Sequence, residues 1–129
     1  MKIHHVAIWT RDIERMKDFY VKYFNCKSNN KYCNTKKEYE SYFLEFSDGA
    51  QLELMKMSSI PDSLNNFENQ HIGLIHFAVS VGSRETVDSL TEQLRADGYK
   101  IVSNPRQTGD GFYESCALDP ENNRIEITI

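Results

Sequence analysis

The hydrophobic positions at the start of the chain change period once. Residues 3 to 9, IHHVAIW, have the composition of a strand, whereas in residues 12 to 25, DIERMKDFYVKYFN, apolar side chains return every three to four positions and predict a helix. Ile13, Met16, Tyr20, Tyr23 and Phe24 fall on one stripe with Phe19 at its edge. Asp12 is placed to cap the first turn, and the helix is expected to end near Asn25. The following KSNNKYCNTKKEYE is polar and poorly periodic, which leaves Tyr32 and Cys33 open between a short strand and a loop. SYFLEF and AQLELMKM then read as strands, with Asp48-Gly49 between them as a hairpin signal. Residues 58 to 72, SSIPDSLNNFENQHI, carry a proline, several asparagines and little periodicity, and read as a linker.

Beyond the linker the same order returns. GLIHFAVSV is a strand, and SRETVDSLTEQLRADG is a helix with Ser83 as N-cap, Val87, Leu90 and Leu94 facing inward, and Gly98 just past its end. YKIVSNPRQ, FYESCALD and RIEITI are three further strands, separated by turn residues at Thr108-Gly109-Asp110-Gly111 and at Asp119-Pro120. The pattern predicts an α+β fold of two tandem βαβββ modules, 1–57 and 73–129, joined by the linker 58–72.

The repetition gives meaning to two histidines. HVAI at 5 to 8 matches HFAV at 76 to 79, and QLELM at 51 to 55 matches RIEIT at 124 to 128. Each module thus has a histidine in its first strand and a glutamate in its last, separated by 48 residues in one case and 50 in the other. Strand alternation sends Ile75, Phe77 and Val79 toward the helix and His76 and Ala78 to the other side. In the first module His4, Val6 and Ile8 take the helix side, and His5, Ala7 and Trp9 the opposite one. Glu53 and Glu126 each project away from a flanking pair of aliphatics. If the two sheets curve toward each other, two imidazoles and two carboxylates converge.

A lone strand histidine is more often an ordinary core or surface residue than a ligand, and a glutamate between aliphatics usually marks a solvent face. Recurrence of the same pair at matching places is what those readings leave unexplained. His4 and His71 have no such counterpart and take the ordinary reading. Buried carboxylates need a cation or a raised pKa, and a divalent ion would meet that need. Two nitrogens and two oxygens suit Zn, Ni, Mn, Co or Fe without choosing among them, and on an octahedral ion they leave two positions open for a substrate.

Composition narrows the classes. Fifteen basic against nineteen acidic residues give a formal charge of −4, which argues against a nucleic-acid partner. Three cysteines, Cys26, Cys33 and Cys116, without CxxC spacing suggest neither a disulfide framework nor a zinc knuckle and fit a reducing cytoplasm. Cys116 reads as a small buried hydrophobe. The charged start, MKIHHVAIWTRD, forms no signal-peptide core, and no apolar run approaches the roughly 20 residues of a membrane span.

The segments HHVAIWTRDIERMKDFYVKYF, DGAQLELM, GLIHFAVSV and DPENNRIEITI resemble the vicinal oxygen chelate superfamily, which contains glyoxalase I, bleomycin resistance proteins, fosfomycin-modifying thiol transferases and extradiol dioxygenases. The likeness runs through essentially the whole chain. It implies paired βαβββ modules forming a cupped mixed sheet around one divalent metal, often in a homodimer, with His5, Glu53, His76 and Glu126 as ligands. Four ligands of this kind are most similar to glyoxalase I, which implies a lyase or isomerase acting on a small hemithioacetal or 2-hydroxy-carbonyl compound through a metal-stabilised enediolate. Glu126 would be the proton-carrying carboxylate and Glu53 its counterpart. Two departures set this chain apart from glutathione-using relatives: Trp9 stands where they commonly carry arginine, and MKMSS follows Glu53 where they tend to have asparagine. Trp9, with Phe112 and Tyr113 beside the TGDG loop, would wall a small or partly apolar substrate, and Arg106 or Lys56 could meet an anionic group. Packing within hairpins is the competing account of those aromatics. The rival functions are a dioxygenase or antibiotic thiol transferase on the same scaffold, which would need only three ligands, and a non-catalytic module that binds a drug or metabolite.

Overall fold

The computed structural model describes residues 1–129, which divide into two compact units, Met1–Asp62 and Ser63–Ile129.

In the first unit, β1 (His5–Trp9) leads into α1 (Ile13–Phe24), followed by β2 (Lys27–Ser28), β3 (Tyr32–Asn34), β4 (Tyr39–Glu45) and β5 (Gln51–Met57). β1 lies parallel to β5, and β5 is antiparallel to β4. β2 and β3 both pair antiparallel with β4, so the undecided polar stretch supplies one edge strand broken at residues 29 to 31. Asn29 bridges the break: its backbone N–H donates to the Phe43 carbonyl at 3.2 Å, and its side-chain oxygen accepts from the Phe43 N–H at 2.8 Å. An asparagine that substitutes for a ladder partner explains why this segment lacks a strand's alternation. α1 begins where Asp12 Oδ1 accepts from the Arg15 N–H at 3.1 Å and ends at Asn25 in the left-handed region, φ 53°. Ile13, Met16, Phe19, Tyr20 and Tyr23 are buried, so Phe19 belongs to the inward stripe while Phe24 is only partly covered. The stripe packs on Tyr42, Leu44, Leu52 and Leu54, which alternate along β4 and β5. Each fully buried leucine contributes about 1.5–3 kcal/mol relative to exposure.

The second unit repeats the plan: β6 (His76–Ser80), α2 (Arg84–Ala96), β7 (Ile101–Gln107), β8 (Tyr113–Leu118) and β9 (Arg124–Thr128), with sheet order β6-β9-β8-β7. Ser83 Oγ accepts from the Thr86 N–H at 3.2 Å, and Gly98 closes the helix at φ +88°, a conformation open to glycine at little steric cost. Val87, Leu90 and Leu94 are buried over Ala117, Ile125 and Ile127. Thr91 and Ser115, both fully buried, share a hydrogen bond at 2.6 Å that ties α2 to β8, and the Thr91 hydroxyl donates to the Val87 carbonyl. Asp119 organises the turn before β9 by accepting from the backbone N–H groups of Glu121 and Asn123. No helix is long and apolar enough to cross a membrane.

On the outside of α1, Glu14 is gripped by Lys17 at 2.9 Å and Lys31 at 3.1 Å, and it accepts from the Tyr42 hydroxyl at 3.0 Å. These donors, Lys17 foremost, lower its pKa from 4.5 to about 2. A depressed carboxylate stabilises the fold above its ordinary pKa and loses that contribution as pH falls toward the folded value. Glu14→Gln should therefore destabilise the chain at neutral pH by at most about 1 kcal/mol, because the group is half exposed and screened. In denaturant melts the gap to the wild type should narrow between pH 4.5 and about 2; a gap independent of pH would assign Glu14 to packing alone.

Candidate functional site

The two units build the same local geometry from the same strand register. In the first, β1 and β5 pair with Ala7 beside Glu53; in the second, β6 and β9 pair with Ala78 beside Glu126. Neighbouring residues in register share a face, so each glutamate stands beside an alanine with the histidine two residues earlier on the same side. The alanine methyl leaves the space between the longer side chains open. Consequently His5 Nε2 lies 3.6 Å from Glu53 Oε2, and His76 Nε2 lies 3.1 Å from Glu126 Oε2. In both pairs the carboxylate is the more covered partner, 13% and 24% exposed against 39% and 41% for the imidazoles.

The second separation suits chelation, and the first is slightly too wide for it. Nitrogen and oxygen donors about 2.1 Å from one divalent ion stand roughly 3.0–3.4 Å apart at octahedral or tetrahedral angles. Each pair presents one nitrogen and one oxygen donor, and no group of three or more His, Cys, Asp or Glu side chains is placed to hold a metal ion. With no cation, the same spacing serves an imidazole–carboxylate contact. Thiolate is disfavoured as a donor nearby: burial pushes the Cys116 thiol up, and it pushes the Cys26 thiol, on the helix side of the first unit, to about 12.

Around the first pair the face is aromatic. Phe43 is in register with Glu53 and meets the His5 ring edge-on at 5.3 Å. Tyr39 donates its hydroxyl to Glu53 Oε1 at 3.1 Å and is packed by Trp9 and Tyr32, each at 6.2 Å between ring centroids. His4 precedes β1 rather than lying on its helix side, and its Nδ1 meets His5 Nδ1 at 2.9 Å. One ring donates and the other accepts; when His5 is the donor, its Nε2 carries the lone pair a metal requires.

Around the second pair the face is polar. Cys116 is in register with Glu126, and Glu114, two residues before it, lies 3.9 Å from Arg106. Burial raises the Glu114 pKa, helped by the negative charge of Glu126 and opposed by Arg106 and His76. Arg106 thus sits on the same face as the pair, already engaged with a carboxylate. Tyr113 does not: its hydroxyl donates to Asp88 of α2 at 2.8 Å and the Arg84 guanidinium lies 4.5 Å over its ring, which holds it on the helix side. Phe112 is exposed at the end of a closed turn in which the Thr108 N–H donates to its carbonyl at 2.8 Å and Gln107 Nε2 bonds the carbonyls of Gly111 and Phe112. The TGDG loop is thereby tethered. Lys56 pairs with Glu40 at 4.0 Å, and His71 is held by the Asn65 side chain.

Tyr39, Phe43 and Glu114 were not singled out by the sequence pattern, which gives His4 the ordinary reading. Only the strand register places Tyr39, Phe43 and Glu114 beside the pairs, and only the start of β1 after His4 turns that ring toward His5.

The chain and its fold have counterparts. An uncharacterised protein of Bacillus subtilis, YqjT, is 24% identical over 128 residues, covering 97% of this chain and 96% of its own. Among solved structures, a glyoxalase/bleomycin resistance protein/dioxygenase domain from Frankia superposes with a TM-score of 0.81 at 19% identity, over 99% of this chain and 90% of that one. A glyoxalase I variant from Zea mays gives 0.76 at 22% identity over 98% of this chain, which spans 44% of the maize protein's length. The trypanothione-dependent glyoxalase I of Leishmania major gives 0.76 at 21% identity, over 99% and 86% of the two chains. At such identities these likenesses speak for the fold. The sequence profile of one family matches residues 2–127, almost end to end, and on that match the chain belongs to the Glyoxalase/Bleomycin resistance protein/Dioxygenase superfamily.

Proposed function

We propose that His5, Glu53, His76 and Glu126 together hold one divalent metal ion and that the chain is a glyoxalase I-like lyase or isomerase. The observation that carries this reading is the matched register of the two pairs, with nitrogen–oxygen separations of 3.6 and 3.1 Å. A chain that needed only three ligands would gain nothing from repeating the Ala-beside-Glu arrangement in both units, and this weighs against the dioxygenase and thiol-transferase alternatives. The two pairs complete the centre within one chain or across a homodimer.

When bound, the ion supplies Lewis acidity toward a substrate with two neighbouring oxygens. The chain supplies the proton traffic. Glu126 accepts the proton beside the carbonyl at a carboxylate oxygen and returns it to the adjacent carbon, which accounts for an isomerisation of a hemithioacetal or a 2-hydroxy-carbonyl compound. The aromatic face of Trp9, Tyr39 and Phe43 offers apolar contact to a substituent, and Arg106 on the second face can exchange Glu114 for an anionic group of the substrate.

The test is elemental analysis of protein purified without added metal, followed by reconstitution with Zn, Ni, Mn, Co or Fe and assay on methylglyoxal with a panel of thiols. About one ion per four-ligand centre and metal-dependent thioester formation are expected. Metal without turnover on any thiol would move the search to other substrates with vicinal oxygens. Failure to bind any of the ions would favour the non-catalytic binding module.

A further inference from the structure

The two pairs differ in one respect that their shared register does not require. The hydroxyl of Tyr39 donates to Glu53 Oε1 at 3.1 Å, leaving Oε2 directed at His5 Nε2. The tyrosine is itself constrained, with Trp9 edge-on and Tyr32 tilted against its ring. Glu126 has no equivalent. Phe43 and Cys116 are the register partners of the two glutamates, so the position matching Tyr39, four residues earlier, is Phe112, which has no hydroxyl and lies in the turn before β8. The contacts of the Glu126 carboxylate are with His76, at 3.1 Å, and with the charge of the neighbouring Glu114.

We propose that Tyr39 is a positioning residue that fixes the orientation of Glu53 for metal binding, a restraint that the Glu126 carboxylate does not share. The proposal rests on the four-ligand reading and deepens it by naming the hydroxyl that orients one of its carboxylates. The physical basis is orientation. A hydrogen bond to one oxygen fixes the torsion of the carboxylate and aims the other oxygen, and losing such a partner typically weakens metal binding by about 10–100-fold. Tyr39→Phe removes only the hydroxyl and keeps the ring against Trp9, so the packing is retained.

The experiment uses the full chain stripped with chelator and titrated with Zn²⁺ in competition with a chromogenic chelator. Tyr39→Phe should weaken Zn²⁺ binding by about 10-fold, while Tyr32→Phe, which alters the same cluster without touching Glu53, should stay within about twofold. The melting temperature of the metal-free chain and the emission of Trp9, its only tryptophan, should not move. In a Glu53→Gln background the Tyr39→Phe change should add less than about twofold, because the hydroxyl acts through that carboxylate. Wild-type affinity in Tyr39→Phe, or a full loss repeated in the Glu53→Gln background, would overturn the role of Tyr39. If Tyr39→Phe were silent while Glu53→Ala lost the metal, the four-ligand reading would stand without the proposal. If Glu53→Ala and His76→Ala both kept wild-type affinity, the four-ligand reading itself would fall.

Discussion

His76→Ala should leave the purified chain with little or no tightly held metal, and Glu53→Ala should do the same although the two residues lie in different units. Each substitution removes one donor of a proposed set of four and leaves an unpaired partner, Glu126 in one case and His5 in the other. The expected loss is at least 100-fold in affinity, beyond the typical effect of removing an outer hydrogen-bond partner. The imidazoles are only partly covered, so removing either one should change the folded chain's melting temperature little once metal is absent. His71→Ala is the control. That ring is exposed and bonded to Asn65, and its removal should leave metal content unchanged. Elemental analysis and chelator competition on the three variants give the answer. Full retention by His76→Ala would identify the 3.1 Å contact with Glu126 as a simple ion pair and remove the basis for a metal centre.

The pairs were legible in the sequence because strand alternation is strict. Residues His5 and Ala7, or His76 and Ala78, must share a face, and the repeat supplied the partner strands. Helix ends were legible for a similar reason, since Asp12, Ser83 and Gly98 have chemistry specific to their positions. Contacts that depend on register were not legible. Whether Phe43 or its neighbour meets Glu53 is set by the length of the loop between β4 and β5, and a shift of one residue would send Tyr39 to the helix side. Tyr113 illustrates the converse. Its place next to a loop suggested a substrate wall, but Asp88 and Arg84 on α2 capture its hydroxyl and ring, and those helix positions look merely solvated in the sequence. The polar edge segment held by the Asn29 side chain was not readable because such a bond leaves no periodic trace.

Glu126→Gln should separate metal binding from turnover. The amide oxygen can still approach the ion, but a carboxamide takes up no proton at neutral pH, so the variant is expected to keep its metal and to lose about 10²–10⁴-fold in kcat. Glu53→Gln should behave differently: if Glu53 serves only as a ligand, loss of its charge should appear chiefly as weaker metal retention. Removing a proton carrier reduces the rate even at saturating metal, whereas removing a ligand's charge can be offset by excess ion. Assays of both variants across a metal titration, on the substrate identified by the thiol panel and with solvent deuterium exchange at the reacting carbon as a second readout, distinguish the two behaviours. Equal loss of exchange in both variants at saturating metal would mean that the carboxylates share the proton. Loss confined to Glu126→Gln would assign the proton to that carboxylate alone.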